Sequence, residues 1–232
     1  MQQQKRIFIT GTDTDVGKTL VTSCLIQKLQ NAKYTVTAIK PVAAGCDWLD
    51  GQLKNSDALT LQQSMQQSIS YDLVNPIALE SPIAPHIAAT KESLNLSVQV
   101  LQEQCDLSQH QTDILLVEGA GGWLVPLNDT ETLADFVVAE SMEVILVVGL
   151  KLGCINHALL TVKAIEAADL SLVGWVANLI DPGMLVVAEN MDTLKQRINA
   201  PLIGEIPYIQ ADNIIQEAIE YVNISPLVNR PI

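Results

Sequence analysis

Nine residues constrain this chain more than any others: "GTDTDVGKT", Gly11–Thr19, with the apolar "RIFIT" before it and a helical pattern after it. A strand that feeds a turn of small residues and then opens a helix aims successive backbone N–H groups at one point. The positive end of the helix adds to them, and the result is an anion cradle. In a Gly-Lys-Thr ending, the glycine allows close backbone approach, the lysine reaches the terminal phosphates and the hydroxyl is the usual Mg²⁺ ligand. Here these are Gly17, Lys18 and Thr19, with Ile7–Thr10 expected as the strand and Lys18–Asn31 as the helix. The common pattern has four residues between its glycines, whereas five separate Gly11 from Gly17 and place Thr12 at the usual first-glycine position. The loop is expected to turn at Gly11, whose φ is free, and to remain a phosphate cradle with an altered entry.

Two acids, Asp13 and Asp15, lie inside this loop. An anion beside a triphosphate is unfavourable. Either these side chains cap the turn through Asx hydrogen bonds, or one side of the loop faces a positively charged substrate.

Further apolar runs read as buried strands at Thr35–Lys40, Ile114–Val117, Val144–Val148 and Leu172–Ala177, with little polar alternation. Such runs suit a parallel sheet covered on both faces. Leu20, Val21, Cys24, Leu25 and Leu29 recur at helical spacing, as do residues from Ile155 to Ala168. Strands alternating with helices predict a doubly wound, mostly parallel α/β sheet of the P-loop NTPase kind, with helices on both faces. The 232 residues show no repeat or sharp change of composition, so 1–232 reads as a single domain. Gly45–Ser81 is less regular, and Pro76, Pro82 and Pro85 mark loops.

A net charge of −13 argues against a nucleic-acid surface, which needs clustered Lys and Arg. It also requires any phosphate site to be positive locally. Cys24, Cys46, Cys105 and Cys154 are scattered without a CxxC pair, which suits reduced thiols in a cytoplasm. "MQQQKR" runs directly into the first strand without a secretory apolar region, and "VILVVGL" is too short to span a bilayer. The expectation is a soluble cytoplasmic protein with no membrane partner.

Three further segments carry candidate chemistry. "DILLVEGAGG", Asp113–Gly122, is an apolar strand ending in a carboxylate, Glu118, which is the Walker B arrangement for Mg²⁺. Gly119, Gly121 and Gly122 after it are expected to leave room for a ligand at the backbone. In "AIKPVAAG", Lys40 ends a strand and projects either into the crevice of the phosphate loop or into solvent. Asp57 in "NSDAL" is either a helix cap or a metal ligand. "LVGWVAN" ends at Asn178, whose amide could meet a base edge, while His86 and His157 read as structural.

Together "GTDTDVGKT", "KPVAAG", "NSDAL", "VEGAGGW", "VVGLKLGCINHALL", "GWVAN" and "LIGEIPY" resemble the dethiobiotin synthetase family, in its order, from Ile7 to about Tyr208. The resemblance implies an ATP-dependent cyclo-ligase of biotin synthesis, with Mg²⁺, that closes a ureido ring on 7,8-diaminopelargonate. One amine captures CO₂ as a carbamate, ATP phosphorylates it, and the second amine attacks the mixed anhydride. Carried over by motif, Lys18 and Lys40 are the catalytic lysines. ATP lies on the loop at Asp15, Val16, Gly17, Lys18, Thr19 and Leu20, on Asp57, and on Glu118, Gly119, Ala120 and Gly121. Asn178, Pro207 and Tyr208 form its base side. Thr19, Asp57 and Glu118 are the metal positions. Thr14, Lys40, Ala44 and Gly121 face the diamine, and Asn156 reaches it across the interface of a homodimer.

The family often has serine where this chain has Ala44, and tyrosine where it has Asn190. Those departures leave open a paralogue with a changed substrate. A MinD/ParA-like switch ATPase is the reading from another class, but its extra lysine, five positions before the loop lysine, is Asp13 here. Its membrane-binding members carry a basic amphipathic terminus, whereas "DNIIQEAIEYV" is acidic and suits packing onto the domain or a partner. A synthetase acting on a larger acid is the third alternative.

Overall fold

Alternation of side-chain facing decides the architecture. In β1, Lys5–Gly11, Ile7 and Ile9 enter one core and Phe8 enters another, and all three are fully buried. Successive strand residues point to opposite faces, so a strand buried on both sides must be sandwiched. The computed structural model describes residues 4–228, so the part of the N-terminal reading that rests on residues 1–3 lies outside the described residues.

After β1 the chain forms α1, Lys18–Asn31, and β2, Val36–Ile39. Short pieces follow: β3, Val42–Ala44; β4, Asp47–Leu49; β5, Gln52–Lys54; α2, Ser56–Ser64; α3, Tyr71–Val74; β6, Ile77–Leu79; and α4, Pro85–Lys91. Strands and helices then alternate through α5, Val98–Cys105; β7, Ile114–Glu118; α6, Leu133–Ala139; β8, Glu143–Leu150; α7, Cys154–Ala167; and β9, Leu172–Leu179. The last described elements are α8, Val187–Arg197; β10, Leu202–Ile206; α9, Ile214–Ala218; and α10, Ser225–Val228.

The main sheet has the order β10-β9-β8-β1-β7-β2, and every pairing in it is parallel. β3 with β6, and β4 with β5, form two small separate sheets. The expected strands and helices are all present within a few residues of their predicted bounds. β10 is an addition. It lies at the sheet edge, with Glu205 exposed and a register shift between Leu202 and Gly204, so it lacks the apolar run that marks the inner strands.

Three apolar clusters cover the sheet. Ile7, Ile9, Ile114 and Leu116 pack under α1 and α9, whereas Phe8, Leu115 and Val117 meet α5 and α6 on the other face. Leu146, Val148 and Trp175 pack with α7 and α8. The acidic C-terminal amphipathic segment belongs to the first cluster through Ala218, Ile219 and Val222, so it packs onto the domain. Each fully buried large apolar side chain contributes about 1.5–3 kcal/mol.

β1 lies between β7 and β8, while the chain leaving β1 crosses to β2 beyond β7. The connections therefore diverge above the carboxyl end of β1. In open parallel sheets that divergence leaves a crevice where ligands bind.

Candidate active site

The loop from β1 to α1 turns by a different route from the one expected. Gly11 ends β1 without entering left-handed conformation; Asp15 (φ 57°) and Gly17 (φ 91°) are the loop residues that do. Gly11 is required for space, because a Cβ there would lie 2.6 Å from Val16 Cγ2 and 3.3 Å from Lys18 Cδ. The fully buried Val16 side chain fills the space beside Gly11 and Gly149. Thr12 ties the loop to β8: its N–H donates to Val147 O at 2.9 Å, and its hydroxyl accepts from Gly149 N–H at 3.3 Å. Lys18, buried at 7% exposure, donates to Asp13 O at 3.0 Å. Burial, and next the charge of Lys40, pull its ammonium down to about 8.

Behind the loop an ionic cluster joins β2, α2, β7 and α1. Lys40 Nζ lies 2.8 Å from Glu118 Oε1 and 3.0 Å from Asp57 Oδ2. Thr19 Oγ1 donates to the same Glu118 oxygen at 2.9 Å. Burial opposes the charge on Lys40, but the attraction of Glu118 and Asp57 outweighs it and raises the affinity for the proton. Lys40 therefore points into the crevice and stays charged. Asp57 does not cap its helix: Asn55 does, accepting from Asp57 N–H at 3.0 Å and Ala58 N–H at 3.3 Å. The Asp57 carboxylate is thereby free to reach Lys40.

These oxygens suit a divalent cation. Glu118 is wholly buried, its Oε2 accepts no hydrogen bond, and its Oε1 already faces a cation in the form of the Lys40 ammonium. Among the described residues no cluster of three or more His, Cys, Asp or Glu could hold a metal unaided. Mg²⁺ ordinarily needs only one or two carboxylates plus phosphate oxygens and water.

In the glycine-rich turn after β7, Gly119 is required by packing. Its N–H donates to Ile9 O at 3.0 Å, and a Cβ there would lie 2.7 Å from Phe8 Cζ. Trp123 anchors the turn edge-on against Phe8, with ring centroids 6.1 Å apart. Between these anchors Ala120 and Gly121 are half-buried, and Gly121 takes φ +64°. A Cβ on Gly121 would lie 3.7 Å from Thr14 Oγ1, so the exposed Thr14 and this turn face each other.

Leu20, Asn178, Pro207 and Tyr208 line one pocket of about 170 Å³ at the carboxyl ends of β9 and β10. Asn178 Nδ2 donates to Val16 O at 2.9 Å, so this amide braces the loop from behind. A larger cleft of about 360 Å³, lined by His86, Leu96 and Asp129 among others, contains none of the loop residues. Ala44 packs against the second apolar cluster at the end of β3. Asn156 stands exposed in the first turn of α7.

Two groups escaped sequence reasoning. Lys151, after β8, pairs with Asp13 at 3.0 Å, so the cation facing that acid comes from this chain. Asn75 Nδ2 donates to Lys40 O at 2.7 Å, Tyr71 Oη donates to Asn75 Oδ1 at 2.9 Å, and Asn55 N–H donates to Tyr71 Oη at 2.6 Å. This buried chain ties the strand end that bears Lys40 to the helix that bears Asp57. The asparagine two residues before Asp57 was a visible cap signal for it.

A parallel α/β sheet with this loop at its switch point defines a P-loop nucleotide-binding protein. The family model described as an AAA domain matches residues 5–213. The ATP-dependent dethiobiotin synthetase BioD of Cellvibrio japonicus is 49% identical over 226 residues, covering 97% of this chain and 99% of its own. Those of Vibrio campbellii and Escherichia coli K12 are 48% and 45% identical, each over 96% of this chain and over 97% and 99% of their own. The chain belongs to the ATP-dependent dethiobiotin synthetase family. Among solved structures, MinD of Pyrococcus horikoshii complexed with Mg-ADP has a TM-score of 0.58 at 15% identity, covering 99% of this chain and 90% of that one. A ParA family ATPase of Chlorobium tepidum has a TM-score of 0.56 at 14% identity, covering 99% and 95%. Those two likenesses establish the fold.

Proposed function

We propose that this chain is an ATP-dependent cyclo-ligase that forms dethiobiotin from 7,8-diaminopelargonate, CO₂ and ATP, as a single ligase domain in the cytoplasm. One observation carries the reading. Two buried lysines, Lys18 and Lys40, meet Glu118, Asp57 and Thr19 at the carboxyl ends of the neighbouring strands β1, β7 and β2.

The chemistry needs that convergence. A carbamate is a poor electrophile because its carbon bears a delocalised anion. Transfer of the terminal phosphoryl group from ATP to a carbamate oxygen gives a mixed anhydride and ADP. The second amine attacks its carbon, phosphate leaves with the C–O electron pair, a proton leaves the nitrogen, and the ring closes. The loop amides and Lys18 hold the triphosphate, while Lys40 neutralises the carbamate and the transferring oxygens. Thr14 and Gly121 place the diamine, which makes the second attack intramolecular. Ala44 supplies only a methyl group beside it. Leu20, Asn178, Pro207 and Tyr208 form the base side, and Asn156 serves the substrate of a second copy. Thr19, Asp57 and Glu118 would hold Mg²⁺, which screens the charge of the phosphate oxygens when bound.

Phosphate release with and without the diamine tests the reading. Purified protein should release phosphate from ATP only when diamine and bicarbonate are both present, and dethiobiotin should accumulate in step. Lys40→Ala should lose turnover and still bind ATP by calorimetry. Release that persists undiminished without the diamine would make the chain a switch ATPase instead.

A further inference from the structure

The proposed mechanism uses two lysines and leaves a third in the same crevice unassigned. Lys151 follows β8, the neighbour of β1, and its Nζ lies 3.0 Å from Asp13 Oδ2. Asp13 sets three directions at once. Its carbonyl oxygen accepts from Lys18 Nζ at 3.0 Å, Oδ1 accepts from Thr14 N–H at 2.8 Å, and Oδ2 faces Lys151. An unpaired carboxylate here would repel the phosphates that Lys18 is placed to hold, since like charges a few ångströms apart oppose each other.

We propose that Lys151 is a positioning residue for the nucleotide: it neutralises Asp13 and so fixes the loop that presents Lys18. The inference rests on the nucleotide reading of this loop. Lys151 is itself held, because its carbonyl accepts from Cys154 N–H at 3.0 Å where α7 begins. The hydrogen bond from Lys151 is the foremost influence holding the Asp13 carboxyl below the usual carboxylate range, with Thr14 next and His157 as a more distant attraction. Both side chains are partly exposed, at 37% and 46%, so the pair contributes little to folding. Its effect belongs to ligand binding.

The test measures ATP affinity by calorimetry with magnesium present, and KM for ATP alongside kcat, on the full chain. Lys151→Ala should weaken ATP about five-fold, the equivalent of about 1 kcal/mol, with kcat nearly unchanged. Lys151→Arg should restore it. Adding Asp13→Asn to Lys151→Ala should also recover most of the loss, which a purely structural role would not allow. Unchanged affinity in Lys151→Ala, or no recovery in the double variant, overturns the proposal. Calorimetry reports on Lys151 even if no dethiobiotin is formed, so failure of the ligase reading is distinguishable.

Discussion

Lys18 and Lys40 share one cluster and are displaced in opposite directions. Both lose hydration on burial, but Lys40 lies against two carboxylates, whereas Lys18 donates to an uncharged carbonyl and feels the repulsion of Lys40. Glu118, Asp57 and Asp15 attract Lys18 only in part. Its proton is therefore held near pH 8 in the folded chain and near 10.5 in the unfolded one. With fewer protons bound when folded, this group makes stability increase as pH rises from about 8 to 10.5. Phosphates beside Lys18 favour its charged form, so ATP binding at pH 8.5 should take up protons. Calorimetry in buffers of different ionisation heat reads that uptake directly. A heat independent of buffer would contradict the placement of Lys18 against the phosphates. Cys24 and Cys105 are pushed up to about 12 by burial, which keeps these thiols protonated and poorly nucleophilic.

Among the elements, α2 shows how a short helix serves a site. Asn55 caps it, and the N–H of the same residue donates into the hydrogen-bond chain that runs through Tyr71 and Asn75 to the backbone of Lys40. Removing that cap should loosen the helix and the Asp57–Lys40 pair together. Asn55→Ala should cost about 1 kcal/mol, seen as a melting midpoint lower by about 2–4 °C for a chain of this size, with reduced turnover. An unchanged midpoint and rate would mean the cap does not support the site. The five strands β1, β2, β7, β8 and β9 were legible because each is built on a mostly apolar, buried run. The β4–β5 hairpin was not, although Asp50-Gly51 between its strands takes the two positive φ values of a tight hairpin turn. Its strands have only three residues each, too few for a period to show.

Across the whole molecule, a chain of net charge −13 brings Lys18, Lys40 and Lys151 to the carboxyl end of the sheet, where Lys40 and Lys151 are paired with carboxylates and Lys18 is left to face a polyanion. Among the described residues no helix is long and apolar enough to cross a membrane. Leu152 is 94% exposed and Leu160 59% exposed beside Asn156, as expected of the proposed dimer face. Light scattering should give a mass about twice 25.2 kDa, and a fully active monomer would remove the role proposed for Asn156. The residue order alone determined the sandwiched parallel sheet, the anion loop and the acid at the end of β7, because each follows from apolar periodicity or from spacing within a few residues. Tertiary structure decided what spacing cannot express. Asp13 meets Lys151 138 positions away, Gly119 yields its volume to Phe8, and Gly11 yields its own to Val16. Those pairings depend on which strands lie side by side, and strand adjacency is a property of the assembled sheet.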